Sequence, residues 1–218
     1  WTDDDQETPL ALEGLRGRVL AVAFGPDGRM IAAGDDQGAH IWDRQTGRLI
    51  QTIDKANQAV WSLDLDPKGR YLATSMQGPA QLWSIETGEL VHEFSGHRWE
   101  VHSVCFSPDG SRLATASVDG TAKLWNLGTG REIGSFRGHS AGLSDVDFSP
   151  DGRYLVTASP DKTAKIWLAD GPRRELEPGQ PTGPVFDAAF FQNGRLLVTS
   201  AYNGSRNLWN PITGRRLL

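Results

Sequence analysis

The chain has 218 residues, a formal net charge of −5, a pI near 5.5 and one cysteine, Cys105. This length suits a single all-β domain with a substantial core. The acidity argues against a nucleic-acid surface, which needs clustered Lys and Arg, and a lone cysteine excludes an internal disulfide and points to a reducing, cytoplasmic setting.

In chain order, residues 1–13 read as the remnant of one unit: the end of a third strand, marked by Trp1, followed by a fourth strand. The same aromatic returns at Trp42, Trp83, Trp125, Trp167 and Trp209, always 41 or 42 residues on. A period of that length, carrying one heavy side chain at a fixed phase, marks an array of supersecondary units that bury their apolar faces on one another. The opening on a repeat-phase Trp, without an initiator Met or a signal-like leader, leads us to expect a piece of a longer polypeptide. No apolar run reaches membrane-spanning length, so no membrane contact is expected.

The unit after His97 shows the local pattern. Val101 to Phe106 alternates apolar and polar residues and is followed by Ser107-Pro108-Asp109-Gly110; Arg112 to Ser117 then leads to Val118-Asp119-Gly120, Thr121 to Trp125 to Gly128-Thr129-Gly130, and Arg131 to Phe136 ends the unit. Four short alternating segments bounded by Gly, Pro or Asp predict a four-stranded antiparallel meander. The Pro-Asp-Gly turn recurs at Asp27-Gly28, Asp109-Gly110 and Asp151-Gly152, with Pro67-Lys68-Gly69 and Gln192-Asn193-Gly194 as variants. Proline presets φ early in the turn and glycine accepts positive φ later. Five such units are expected at about 18–53, 59–94, 100–136, 142–177 and 184–218, with first strands from about 18, 60, 101, 143 and 185. No helical period is sustained anywhere.

These residues resemble the WD-repeat β-propellers over essentially the whole chain. The resemblance rests on Gly96-His97, Ser107-Pro108-Asp109-Gly110, Asp119-Gly120 and Leu124-Trp125, repeated at Gly138-His139, Ser149-Pro150-Asp151-Gly152, Asp161 and Ile166-Trp167. The Asp that follows Trp in the family survives only at Asp43. The resemblance implies radial four-stranded blades about a channel, belonging to a larger propeller or to a ring completed by self-association. In a free five-blade ring the N-terminal strand and Arg215 to Leu218 would compete for one outer edge. It also implies a buried His–Ser–Asp–Trp tetrad, assigned to His97, Ser117, Asp119 and Trp125 and to His139, Ser159, Asp161 and Trp167. Elsewhere the tetrad is incomplete; around Trp42 it retains Asp36, with Gly34 and Leu15 at the Ser and His positions.

The same residue types could form a hydrolase triad, but such a site needs an accessible nucleophile and is needed once, whereas this set recurs with the blades. No phosphate-binding loop is present, and His40, His92, His97, His102 and His139 show no zinc spacing, so no cofactor, no metal and no enzyme activity is expected. Asn203-Gly204-Ser205 fits a glycosylation acceptor but is better read as a hairpin turn.

What remains is recognition of a protein or peptide. In the WD-repeat family, partners contact the residues flanking the start of the first strand and the residue before the Asp of the second turn. Transferred here, those positions single out Trp61, Met76, Phe186, Tyr202, Glu100, His102, Arg18 and Asp35, with Trp99 in the adjoining loop. Aromatics and Met anchor interfaces, although an aromatic beside the first strand, Phe186 more than Trp61, could instead fill space between blades. Two alternatives keep the fold: a sensor segment of a larger ATPase, kinase or protease, and an enzyme or small-ligand binder at the channel mouth, which requires titratable side chains converging there.

Overall fold

The computed structural model describes residues 11–25, 27–53, 58–170 and 183–218. The expected N-terminal remnant at residues 1–10 and the fourth strand of the fourth unit lie outside the described residues. Within them the structure is all-β: five antiparallel sheets and no helix. The first sheet comprises β1 (Ala21–Phe24), β2 (Met30–Gly34), β3 (Ala39–Asp43) and β4 (Leu49–Ile53). The second comprises β5 (Ser62–Leu65), β6 (Tyr71–Ser75), β7 (Ala80–Ser84) and β8 (Leu90–Phe94). The third comprises β9 (Val101–Phe106), β10 (Arg112–Ser117), β11 (Thr121–Asn126) and β12 (Glu132–Arg137). β13 (Asp145–Phe148), β14 (Tyr154–Ser159) and β15 (Thr163–Leu168) form the fourth, and β16 (Val185–Phe191), β17 (Leu196–Ala201) and β18 (Arg206–Trp209) the fifth. Each is a simple meander in which neighbours in sequence are neighbours in the sheet. Arg216 bridges Trp209, adding a short edge to the last sheet.

The sheets stack in chain order through their first strands, β1 on β5, β5 on β9, β9 on β13 and β13 on β16. An apolar cluster fills each of the four seams. Ala32, Ala39, Ile41 and Ile53 of the first blade, for example, meet Leu63, Leu65, Leu72 and Trp83 of the second. Trp42, Trp83, Trp125, Trp167 and Trp209 are all between 0 and 2 % exposed, which explains the period: each is the bulkiest side chain of its blade and is buried in the packing. Next to Trp42, Trp83 and Trp125 the third strand slips register against the fourth, a bulge that turns the ladder locally.

Close approach across seams accounts for two glycines. A Cβ on Gly34 would lie 2.6 Å from Val60, and one on Gly142 would lie 2.9 Å from the Val118 carbonyl. The Asp-Gly turns place their glycines at φ of 66 to 68° (Gly28, Gly110, Gly152). The proline-free turn departs from this form, with Gln192 and Asn193 also in the left-handed region at φ 48° and 54°. Without a pyrrolidine ring, nothing holds the early position near −65°.

Where the third blade has Gly120, the fourth has Lys162, held at φ 72°. A Cβ in that conformation costs about 1 kcal/mol. Lys162→Gly is therefore expected to raise stability by about 0.5–1 kcal/mol in urea unfolding, whereas an unchanged midpoint would show that the turn relaxes around the lysine.

Candidate functional site

Inside the third and fourth blades a histidine joins the second-strand threonine to the turn aspartate. His97 Nδ1 lies 3.0 Å from Asp119 Oδ2 and its Nε2 lies 2.8 Å from Thr115 Oγ1; Trp125 Nε1 donates to the same Thr115 oxygen at 2.9 Å. His139, Asp161, Thr157 and Trp167 repeat this at 2.8, 2.8 and 2.9 Å. Donor and acceptor capacity fixes the proton arrangement. Indole N–H can only donate, so the threonine oxygen accepts it and gives its own proton to Nε2, leaving Nδ1–H for the carboxylate. Burial pulls His97 below the ordinary histidine range despite Asp119, consistent with a neutral ring. Burial opposes ionisation of Asp119 too, but donation from Thr121, the Arg98 N–H and His97 more than offsets it and brings the carboxyl to about 2.

The expected tetrads are corrected in one member. Ser117 and Ser159 do not bond the histidines. Ser117 Oγ donates to the Trp99 carbonyl and accepts the Asp119 N–H, and Ser159 Oγ does the same with the Gly142 carbonyl and the Asp161 N–H. They pin the loop that enters the first strand. No Ser–His pair of a hydrolase is therefore formed in either blade. The second and fifth blades keep the Thr–Trp bond alone, Trp83 to Thr74 and Trp209 to Thr199. In the first blade Ala33 replaces the threonine and Trp42 Nε1 donates to the Glu13 carbonyl. There Asp35, not Asp36, holds the loops, accepting N–H groups from Arg16, Gly17, Gln37 and Gly38.

A second set of groups was not anticipated. Asp64, Asp145 and Asp147 lie on first strands and reach across the seams. Asp64 accepts the Phe106 N–H at 2.7 Å, Asp145 the Ala188 N–H at 3.1 Å and Asp147 the Phe190 N–H at 3.2 Å. Ser62 and Ser103 do the same for Val104 and Val146. Burial pushes Asp64 up to about 6 and Asp145 to about 7, and raises Asp147. It also raises the Cys105 thiol well above its usual value; Cys105 Sγ lies 3.4 Å from Asp147. Titratable side chains thus do converge on the inner strands, but their carboxylates are engaged by backbone N–H groups, with the Ser103 hydroxyl and the Cys105 thiol donating to Asp145 and Asp147. Among the described residues no group of three or more His, Cys, Asp or Glu is arranged to hold a metal ion, and no helix is long and apolar enough to cross a membrane.

The starts of the first strands and the turns between second and third strands share one end of the sheets, as the antiparallel register requires. Two bulges there push side chains outward. In β9 the ladder passes from Ser103 to Val101, skipping His102, and in β16 from Asp187 to Val185, skipping Phe186. His102 meets the Trp61 ring edge-on at 5.2 Å, and Phe186 meets the 71 %-exposed Tyr202 at 5.1 Å. Burial holds His102 below its usual range, with Glu100 opposing. Trp99 is 66 % exposed and, with Arg98 and Glu100, borders an open cleft of about 500 Å3 against Gln77 and Pro79 of the second blade. Arg18 is exposed and Glu100 half-buried. Two expected contact residues are not on this face: Met76 is 3 % exposed and packs in the first seam, and Asp35 is 0 % exposed with its carboxylate filled by backbone donors.

Stacked antiparallel meanders, two of them pinned by a histidine–aspartate–threonine–tryptophan network, define a blade-repeat protein. The family model described as WD domain, G-beta repeat, matches residues 10–43, 47–78, 88–126 and 130–167, and the chain belongs to this family of protein-interaction scaffolds.

Proposed function

We propose that the chain is a non-catalytic, cytoplasmic platform whose bulged end face captures a protein or peptide partner, its blades disposed about a common axis. The observation that carries this reading is the pair of aromatic contacts, Trp61–His102 and Phe186–Tyr202, held at one end by strand bulges, with His102, Phe186 and Tyr202 exposed and Trp61 half-buried. Rigid aromatics on a preorganised face lose little entropy on docking and are the residue types that dominate interface energetics. Trp99, Glu100 and Arg18 extend the same surface, the charged pair tuning association rate more than affinity.

Tyr202→Ala and Trp61→Ala are the test. Quantitative affinity capture with the wild-type chain and each variant should show partner recovery falling about tenfold or more, with unfolding midpoints unchanged. A drop in stability matching the drop in recovery would demote these residues to packing, and undiminished recovery would remove the face from the interaction.

A further inference from the structure

At the end of the sheets opposite the aromatic face, the start of each second strand meets the first turn of the next blade. The residue placed there precedes the second-strand partner of the repeat Trp: Met30, Tyr71, Arg112 and Tyr154 in the first four blades. Two of these side chains fill the seam. Met30 reaches the next turn, where a Cβ on Gly69 would lie 2.5 Å from its Cε. Arg112 Nη2 donates to the Gly152 carbonyl at 2.9 Å and Nη1 to Asp170 at 2.7 Å, with the guanidinium 5.5 Å over the Phe148 ring. The seam between the fourth and fifth blades keeps the receiving side and loses this plug. Phe190 and Gly194 stand where the preceding seam has Phe148 and Gly152, but Tyr154 replaces Arg112 and Ile212 replaces Asp170. A groove of about 330 Å3 is left, lined among others by Tyr154, Ile166, Phe190, Pro211 and Ile212. With the ion pair exchanged for a phenol ring and an aliphatic chain, it suits an apolar side chain and not a second guanidinium.

The rim of the groove carries an unmatched charge. In the cleft between the second and third blades, Arg70 lies 5.1 Å over the Tyr71 ring and is held by Asp66 at 3.2 Å, and Gly128 stands at the position of Ile212. In the groove Arg153 lies 5.8 Å over the Tyr154 ring, but Ser149 takes the place of Asp66. The nearby Asp151 carboxylate accepts the Ser149 hydroxyl and the Arg153 backbone N–H. The Arg153 side chain is exposed and makes no ion pair among the described residues. We infer that this groove docks an extended segment of a partner protein, which inserts one bulky apolar side chain against Tyr154 and Phe190 and sets an adjacent carboxylate on Arg153. An aromatic-lined slot beside one exposed guanidinium selects that pairing of side chains. The site lies at the other end of the sheets from the Trp61–His102 and Phe186–Tyr202 face and does not rest on it.

Fluorescence anisotropy of the full chain with dye-labelled, end-capped heptapeptides tests the inference. The probes place leucine, isoleucine, methionine or phenylalanine before a glutamate in a glycine–serine background. At least one should bind with a Kd of about 100 μM or tighter. Alanine in place of its apolar residue, or lysine in place of its glutamate, should weaken binding about tenfold or more. Arg153→Glu, at an exposed position, should weaken the glutamate probe by a similar factor and reverse the preference in favour of lysine. Tyr154→Arg combined with Ile212→Asp restores the plug of the preceding seam and should abolish binding, whereas Tyr202→Ala should leave it unchanged. Circular dichroism checks that each variant folds; should the double variant fail to, the charge reversal at Arg153 decides alone. Three results would overturn the inference: no probe binding below about 1 mM, binding indifferent to Arg153→Glu, or binding lost with Tyr202→Ala, which would move the probe to the aromatic face.

Discussion

Trp167→Ala is expected to lower unfolding free energy by about 3–5 kcal/mol, because it removes a fully buried indole from the seam between the third and fourth blades and leaves a cavity. Trp167 is 2 % exposed, packs 5.8 Å from Phe136 across the seam and 6.2 Å from His139, and donates to Thr157. The sharper variant is Thr157→Val, which preserves shape. It strands two buried groups at once, the Trp167 N–H and His139 Nε2, and should lower stability by about 2–4 kcal/mol. Ser159→Ala disturbs only the loop contacts to Gly142 and Asp161 and should lower it by about 1 kcal/mol. Urea titrations of the three proteins give the ranking. Equal losses for Thr157→Val and Ser159→Ala would mean that the threonine is not the node of the network. A His139→Ala/Thr157→Val double-mutant cycle should return a coupling of about 1 kcal/mol or more, since the pair shares one proton chain.

The ordering of threonine over serine shows where sequence reading reached its limit. Ser117 and Thr115 are two residues apart on one strand, so their side chains share a face and alternation cannot choose between them. The ladder chooses: Leu113 faces Trp125 and Thr115 sits one pleat further on, where the indole N–H reaches it. A recurrence signal was present, since a threonine stands ten residues before Trp125, Trp167 and Trp209 and nine before Trp83, failing only at Ala33. The blade pattern itself was legible, because a buried Trp in each seam and a turn between strands leave period and punctuation in the sequence. The end face was legible in part. The position before the second turn points outward at Tyr202 and Val118, but in the first blade four backbone donors capture Asp35, and in the second Met76 turns into the seam. First strands from 18, 60 and 143 were expected, whereas ladder pairing begins at Ala21, Ser62 and Asp145. The intervening residues serve the seams: Val60 N–H donates to the Asp35 carbonyl and Leu143 N–H to the Ser117 carbonyl of the preceding blades. The burial of Asp64, Asp145 and Asp147 depends on N–H groups of the neighbouring blade, which the alternation of a single strand does not reveal.

Those inner-strand aspartates give the second large effect, a fall in stability as pH rises from about 4 to 8. Asp145 sits at about 7 and Asp64 at about 6 in the folded chain, against 3.8 for an ordinary aspartate, because burial disfavours the charged form; Asp147 is raised for the same reason. The folded state therefore holds more protons than the unfolded state between those values. Their contribution is fully present below the unfolded value and is lost as pH rises through the folded ones. Asp109 and Asp119, both at about 2, act in the opposite window: hydrogen bonds led by Ser107 in the first case, and donors that outweigh burial in the second, stabilise the fold above 3.8 and fail as pH falls towards 2. Asp145→Asn separates the two. Its amide can still accept the Ala188 N–H and donate to Ser103, whose hydroxyl can turn to accept, so packing is retained while titration is removed. The variant should match the wild type near pH 4 and exceed it by about 1–3 kcal/mol at pH 8, with a flatter slope between. Asp187 and Asp147, which add negative charge beside Asp145, reinforce the upward shift that burial causes and so widen the pH window over which the wild type loses stability at that site. Parallel pH–stability curves for the two proteins would mean that Asp145 is ionised in the fold at no cost, its charge carried by the seam hydrogen bonds rather than suppressed by burial.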